Sequence, residues 1–256
     1  MSLEKSNAWL ERARRVIPSA TQTFSKGPNQ WARGVSPYYL ERGEGAWVWD
    51  VDGNRYLDYL MALGPIVLGY GDPDVNDEVM RQVRAGAVFS QMHPLEVEVA
   101  EMLVERIPCA DMVRFGKNGS DVTTAAMRAA RAFTGGEHVV YCGYHGWHDW
   151  YIGTTTRNKG VPKAVGELTH SFVYNDIASL EAVFAAHPGR TAAVIMEACG
   201  VEPPKPGFLE AVARVTRANG ALLVFDEIVS GFRFDMGGAG KYFGVAPDLA
   251  GFGQAM

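Results

Sequence analysis

Two hydrophobic rhythms divide this chain. Residues 3–16 place Leu and Ala at helical spacing among Arg and Glu, which predicts an amphipathic helix. Residues 73–87 and 94–107 have the same spacing. Residues 18–37, rich in Ser, Thr, Gly and Pro, read as irregular. Tyr39-Leu40, Ala46-Trp47-Val48-Trp49 and Tyr56-Leu57-Asp58-Tyr59 flank the turn Asp50-Val51-Asp52-Gly53 and predict a small antiparallel unit. From about residue 112 short apolar runs alternate with helical stretches. The runs are Met112–Phe115, His138–Cys142, the region of Phe172–Tyr174, Thr191–Met196 and Ala221–Phe225. The helices begin at Ser120 and near 179–186, and a third covers Phe208–Ala218. This alternation predicts an α/β fold whose mostly parallel sheet is covered on both faces. Ligands on such sheets bind beyond the carboxyl ends of the strands. The expected division is a helix and small β segment over 1–65 and a large domain over 66–256.

Composition narrows the class. The chain has 256 residues, 47% of them apolar, and a formal charge of −5. That is ample for a buried core, and no basic run is dense enough for a nucleic-acid or membrane surface. Cys109, Cys142 and Cys199 are odd in number and not closely paired. They fit a reducing, cytoplasmic compartment better than a disulfide scaffold. The start lacks an apolar signal core, and no apolar run reaches membrane-spanning length.

Three segments carry chemistry. In Val113-Arg-Phe-Gly-Lys-Asn118-Gly119-Ser120-Asp121 a strand runs through a small-residue turn into a helix with a good capping residue. Its free N–H groups and dipole suit a phosphate, although an ordinary capped helix has the same signature. Tyr141-Cys-Gly-Tyr144-His145-Gly146-Trp147-His148 clusters aromatic and imidazole groups, either to stack on a planar cofactor or as a packed aromatic loop. Asp226 follows five apolar strand residues, where a carboxylate is costly unless paired. A pyridinium nitrogen would pair it; capping the next element or binding magnesium are the alternatives. No cysteine spacing supports zinc, and His145, His148 and His170 are not read as metal ligands. No G-x-G-x-x-G follows a strand and opens a helix, which argues against a nicotinamide fold.

Taken together and in order, N-G-S-D (118–121), Y-H-G (144–146), the E-x-x-x-x-E of Glu197 to Glu202, D-E-I-V-S-G-F-R (226–233) and P-D-L-x-x-x-G (247–253) resemble class III aminotransferases. G-F-R after the aspartate and V-R-F before the turn look most like the glutamate-1-semialdehyde aminomutase branch. The resemblance implies a fold type I, aspartate aminotransferase-like large domain with a small amino-terminal segment, the carboxyl-terminal domain being absent. It implies pyridoxal 5′-phosphate (PLP) or pyridoxamine 5′-phosphate (PMP) as cofactor, a small-molecule amino donor, a carbonyl acceptor and a homodimer. Carried over by position, Gly119 and Ser120 would bind the phosphate, with Asn118 shaping the turn. Tyr144 and Ile228 would cover the two faces of the ring, with His145 beside them. Asp226 would meet the ring nitrogen, and Glu202 would lie near the 3′-oxygen.

The departures are as specific as the matches. Where the family has the lysine that attaches PLP and shuttles the substrate proton, this chain has Gln254. An amide is neither nucleophilic nor basic. Lys117 and Lys241 do not occupy the matching position. The serine and arginine that serve the substrate carboxylate in the aminomutases correspond to Thr23 and Lys26, and lysine lacks arginine's bidentate fork. Two readings follow: an aminotransferase or aminomutase chain of low activity, as a fragment or a lysine-lacking variant, or a non-catalytic PLP/PMP-binding or interaction protein derived from that family.

Overall fold

A computed structural model describes all 256 residues as two compact units, Met1–Ser90 and Gln91–Met256. No helix is long and apolar enough to cross a membrane.

The first unit contains helix α1 (Glu4–Val16), strands β1 (Leu40–Glu44), β2 (Trp47–Asp50) and β3 (Arg55–Leu57), and helix α2 (Pro73–Ala85). The strands form an antiparallel sheet in the order β1-β2-β3, as the alternating pattern predicts. The turn between β2 and β3 is held by carboxylates. Buried Asp50 accepts from the N–H groups of Asp52 and Asn54 (3.0 and 2.8 Å) and from the Tyr56 hydroxyl (2.9 Å). Asp52 accepts from the Lys5 and Ser6 N–H groups, both at 2.9 Å, so the turn caps the start of α1.

The second unit contains α3 (Pro94–Arg106), α4 (Gly119–Thr134), β4 (His138–Cys142), α5 (Asp149–Ile152), α6 (Lys163–Gly166), β5 (Thr169–Ser171), α7 (Ile177–Ala186), β6 (Thr191–Met196), α8 (Phe208–Ala218), β7 (Leu222–Glu227), α9 (Gly238–Tyr242) and β8 (Leu249–Phe252). All five strands are parallel, in the order β5-β4-β6-β7-β8. Alternate residues sort to the two faces. Val140, Val194, Met196, Leu223 and Phe225 pack under α7, α8 and α9 through Leu180, Phe184, Leu209, Val212 and Ala239. Val139, Ala193, Ile195 and Val224 pack with Met127 and Ala130 of α4 and with Trp150 and Tyr151 of α5. Every residue of β6 is buried, as a strand with neighbours on both edges and helices on both faces requires.

Two strand expectations differ from the structure. Met112–Phe115 forms no strand; Met112 is 91% exposed, and no strand lies beside it to complete a ladder. The run near Phe172 is displaced, because β5 takes its register from β4 (Val139 opposite Thr169, Tyr141 opposite Ser171) and ends at Ser171.

Candidate functional site

The carboxyl ends of β4, β6, β7 and β8 meet the amino end of α4, and the chemistry-bearing residues gather there. Asn118 caps α4, its side-chain oxygen accepting from the Asp121 N–H at 3.1 Å. The N–H groups of Gly119 and Ser120, in the first turn, have no acceptor within the chain. A Cβ on Gly119 would sit 3.3 Å from two carbons of Ile228, and one on Gly253 would lie 3.0 Å from Ile228 Cδ1. Glycine at both positions therefore lets the Ile228 side chain lie between the helix start and the end of β8.

The loop after β4 closes over the same helix start. The Trp147 N–H donates to Ser120 Oγ at 3.3 Å, and the Thr123 hydroxyl donates to the His145 carbonyl at 3.0 Å. Gly146 has φ +101°, and a Cβ there would fall 2.3 Å from Ser120 Oγ. The position is open only to glycine, on conformation and on space alike. Tyr144 projects from this loop, the residue 64% exposed and its ring edge-on to Tyr151 at 5.5 Å between centroids.

Beneath the loop lies a buried polar pair. His145 is 2% exposed and Asp226 5%, and His145 Nδ1 stands 2.8 Å from Asp226 Oδ2. His145 Nε2 is 3.0 Å from the Cys142 carbonyl, which can only accept, so Nε2 carries a hydrogen. A hydrogen between Nδ1 and Oδ2 closes that contact. Asp226 Oδ1 accepts from the Ile228 N–H at 3.1 Å. Glu197, at the end of neighbouring β6, is held above the usual carboxyl range by burial and then by the negative charge of Asp226, while His145 acts in the opposite sense.

Gln254 follows β8 with φ +43°, and its side-chain oxygen is buried with no hydrogen-bond partner. Glu202 stands exposed on the loop before α8 and makes no side-chain hydrogen bond. Thr23 and Lys26 belong to the amino-terminal unit, where they lie at a single 3-10 turn. The assembled group is thus Asn118, Gly119, Ser120, Tyr144, His145, Asp226, Ile228 and Gln254, joined by Glu197. Sequence reading named Glu197 only as half of a spacing. Its signal was the same as that of Asp226, a carboxylate directly after an apolar strand.

The next acidic residue after Asp226 has a different setting. Glu227 is 2% exposed and accepts from the Ser230 hydroxyl and from the N–H groups of Ala239 (3.0 Å) and Gly240 (2.8 Å). Its oxygens are occupied in holding α9 to β7.

The arrangement fits a phosphorylated pyridine cofactor. It offers unsatisfied N–H groups at a helix start, an exposed aromatic ring, an apolar side chain seated between two glycines, and a buried carboxylate at a strand end. It does not fit covalent attachment at residue 254, where the side chain is an amide.

The family model for class-III aminotransferases matches residues 30–256. A 3-aminobutyryl-CoA aminotransferase from Cloacimonas acidaminovorans is 40% identical over 263 residues, covering 100% of this chain and 63% of the relative. A glutamate-1-semialdehyde 2,1-aminomutase from Methanothrix thermoacetophila is 38% identical over 271 residues, covering 99% and 61%. Among solved structures, the FumI protein of Sphingopyxis sp. MTA144, determined in a PLP form, superposes with a TM-score of 0.90 at 30% identity, covering 98% of this chain and 62% of that one. The chain therefore spans less than two thirds of the length of the relatives it matches.

Proposed function

This chain belongs to the class-III aminotransferase family, and on that premise we propose that it binds PLP or PMP without covalent attachment and that transamination by it is lost or very slow. The observation that carries this reading is the buried His145–Asp226 pair beside an open helix start, together with an amide at residue 254. When bound, the cofactor ring withdraws electrons from the carbon bearing the amino group.

The chain's own residues then have separable tasks. The N–H groups of Gly119 and Ser120 and the Ser120 hydroxyl would donate to phosphate oxygens, with the field of α4 favouring the negative charge. Asp226, fixed by His145 and by the Ile228 N–H, would hold a proton on the ring nitrogen. Tyr144 and Ile228 would pack against the ring and exclude water. Gln254 can neither attach the cofactor nor move a proton from the substrate carbon. Loss of a covalent group that also acts as base lowers the rate by about three or more orders of magnitude. Substrates of the intact activity are an amino compound and a carbonyl acceptor. The assembly proposed with it is a homodimer, supported by the exposed apolar stripe Val75, Val79, Met80 and Val83 on α2. The alternative reading, a non-catalytic binding protein, rests on Gln254 itself.

Binding of PLP, followed by absorbance and then borohydride reduction, tests the reading. Saturable binding is expected, with no reduced adduct on any lysine, and Asp226→Ala should weaken it by about 100-fold or more. Gln254→Lys should place a borohydride-fixed adduct on residue 254 and restore amino transfer to PLP. A lysine adduct in the unaltered chain, or no binding at all, would overturn it. Restored transfer in Gln254→Lys separates a disabled enzyme from a chain built only to bind.

A further inference from the structure

At the opposite end of the same sheet three histidines converge that the cofactor reading does not use. His138 opens β4, His170 lies in β5, and His187 caps the carboxyl end of α7, the helix that crosses from β5 back to β6. Because α7 runs against the strands, its end comes down over their amino ends, away from Asp226. We propose that His138, His170 and His187 form a binding site for one divalent late first-row metal ion of the zinc type. This inference is independent of the cofactor reading.

The geometry comes first. One nitrogen from each ring lies within 4.8 Å of the others. His138 Nδ1 and His170 Nε2 are 2.6 Å apart, so one nitrogen brings a hydrogen and the other a lone pair. A metal ion substitutes for that shared hydrogen and draws on both lone pairs. The rings of His170 and His187 stack at 4.0 Å and 20°, and those of His138 and His170 at 4.9 Å and 13°. Coordination requires this stack to fan out so that the nitrogens point at one centre. His170 and His187 are only partly buried and have room to turn.

His138 is held in place for this role. The residue is 3% exposed, and its Nε2 is buried with no partner, so Nδ1 is the nitrogen it turns toward the other two rings.

The carboxyl end of α7 presents the negative end of a helix dipole to a cation. Arg131 and Arg190 oppose it, but both are engaged: Arg190 faces the Glu137 carboxylate at 3.9 Å, and Arg131 Nε donates to the Glu137 carbonyl at 2.9 Å. Three imidazoles without a thiolate or carboxylate select Zn²⁺, Ni²⁺, Co²⁺ or Cu²⁺ over Mg²⁺ or Ca²⁺, and leave one position for water.

The test is titration of the chelator-treated chain, free of PLP, with ZnCl₂ by calorimetry and with CoCl₂ by visible absorption. One ion per chain is expected, with the intense visible bands of low-coordinate Co²⁺. His170→Gln and His187→Gln, each at a partly exposed position, should weaken binding by more than about 100-fold, beyond the loss typical of an outer-shell partner. No saturable binding, or unchanged affinity in both variants, would sink the proposal. If a variant does not fold, imidazole nitrogen NMR of the unaltered chain decides: Zn²⁺ must perturb three histidines together, and perturbation of any other set refutes the site.

Discussion

Two carboxylates stand at the ends of adjacent strands, and one imidazole bonds to only one of them. Glu197 follows Met196 and Asp226 follows Phe225, and those two residues are paired between β6 and β7. His145 bonds to Asp226, which leaves Glu197 as the carboxylate whose charge is least compensated. Its folded-state value lies above the ordinary 4.5, first through burial and then through Asp226. The folded chain therefore holds that proton more tightly than the unfolded chain. The associated stability is fully present below the unfolded value and is lost as pH rises through the folded one. Glu197→Gln, which keeps the shape and removes the charge, should raise the melting temperature at pH 7. It should also flatten the decline in stability above pH 4.5. Thermal melts across that range check it, and a melting temperature at pH 7 that is unchanged or lower counts against it. Asp226 was legible in the sequence as a carboxylate after an apolar strand. Its bond to His145, 81 positions away, was not, because only the fold brings those residues together.

At the scale of elements, the loop Tyr144–Trp147 and the start of α4 act as one unit, and Gly146 is their closest contact. A methyl group there meets the Ser120 hydroxyl at 2.3 Å, and the backbone already has φ +101°. Gly146→Ala should destabilise the chain by about 1–3 kcal/mol from backbone strain alone. By displacing Ser120 it should also weaken PMP binding at least about tenfold. Denaturant unfolding and fluorescence titration measure the two effects, and wild-type affinity in the variant would show that Ser120 does not hold phosphate.

The same scale shows what periodicity can read. The helices at 4–16, 73–85, 94–106 and 208–218 are long enough for apolar positions to repeat, and they fall within two residues of expectation. Helices α5, α6 and α9, of four or five residues, leave too few repeats to be seen. Met112–Phe115 has the composition of a strand, but strands also need a neighbour, which composition does not encode.

For the whole molecule, alternating strands and helices gave the parallel sheet of the second unit, and the motifs read in order gave its family. The order β5-β4-β6-β7-β8 was beyond that reading, since it depends on which crossover passes over which face. It has a consequence for motion. β6 is bonded on both edges and buried throughout, whereas β8 is bonded to β7 alone, and Gly253-Gln254 follows directly after it. Backbone amides should therefore exchange with deuterium last in β6 and far earlier in β8, by local fraying and not by global opening. Mass-resolved exchange will show this, and equal protection of the two strands would contradict it. If β8 frays first, the wall beside residue 254 is a hinged one, and a ligand can enter or leave past it while the rest of the sheet stays closed.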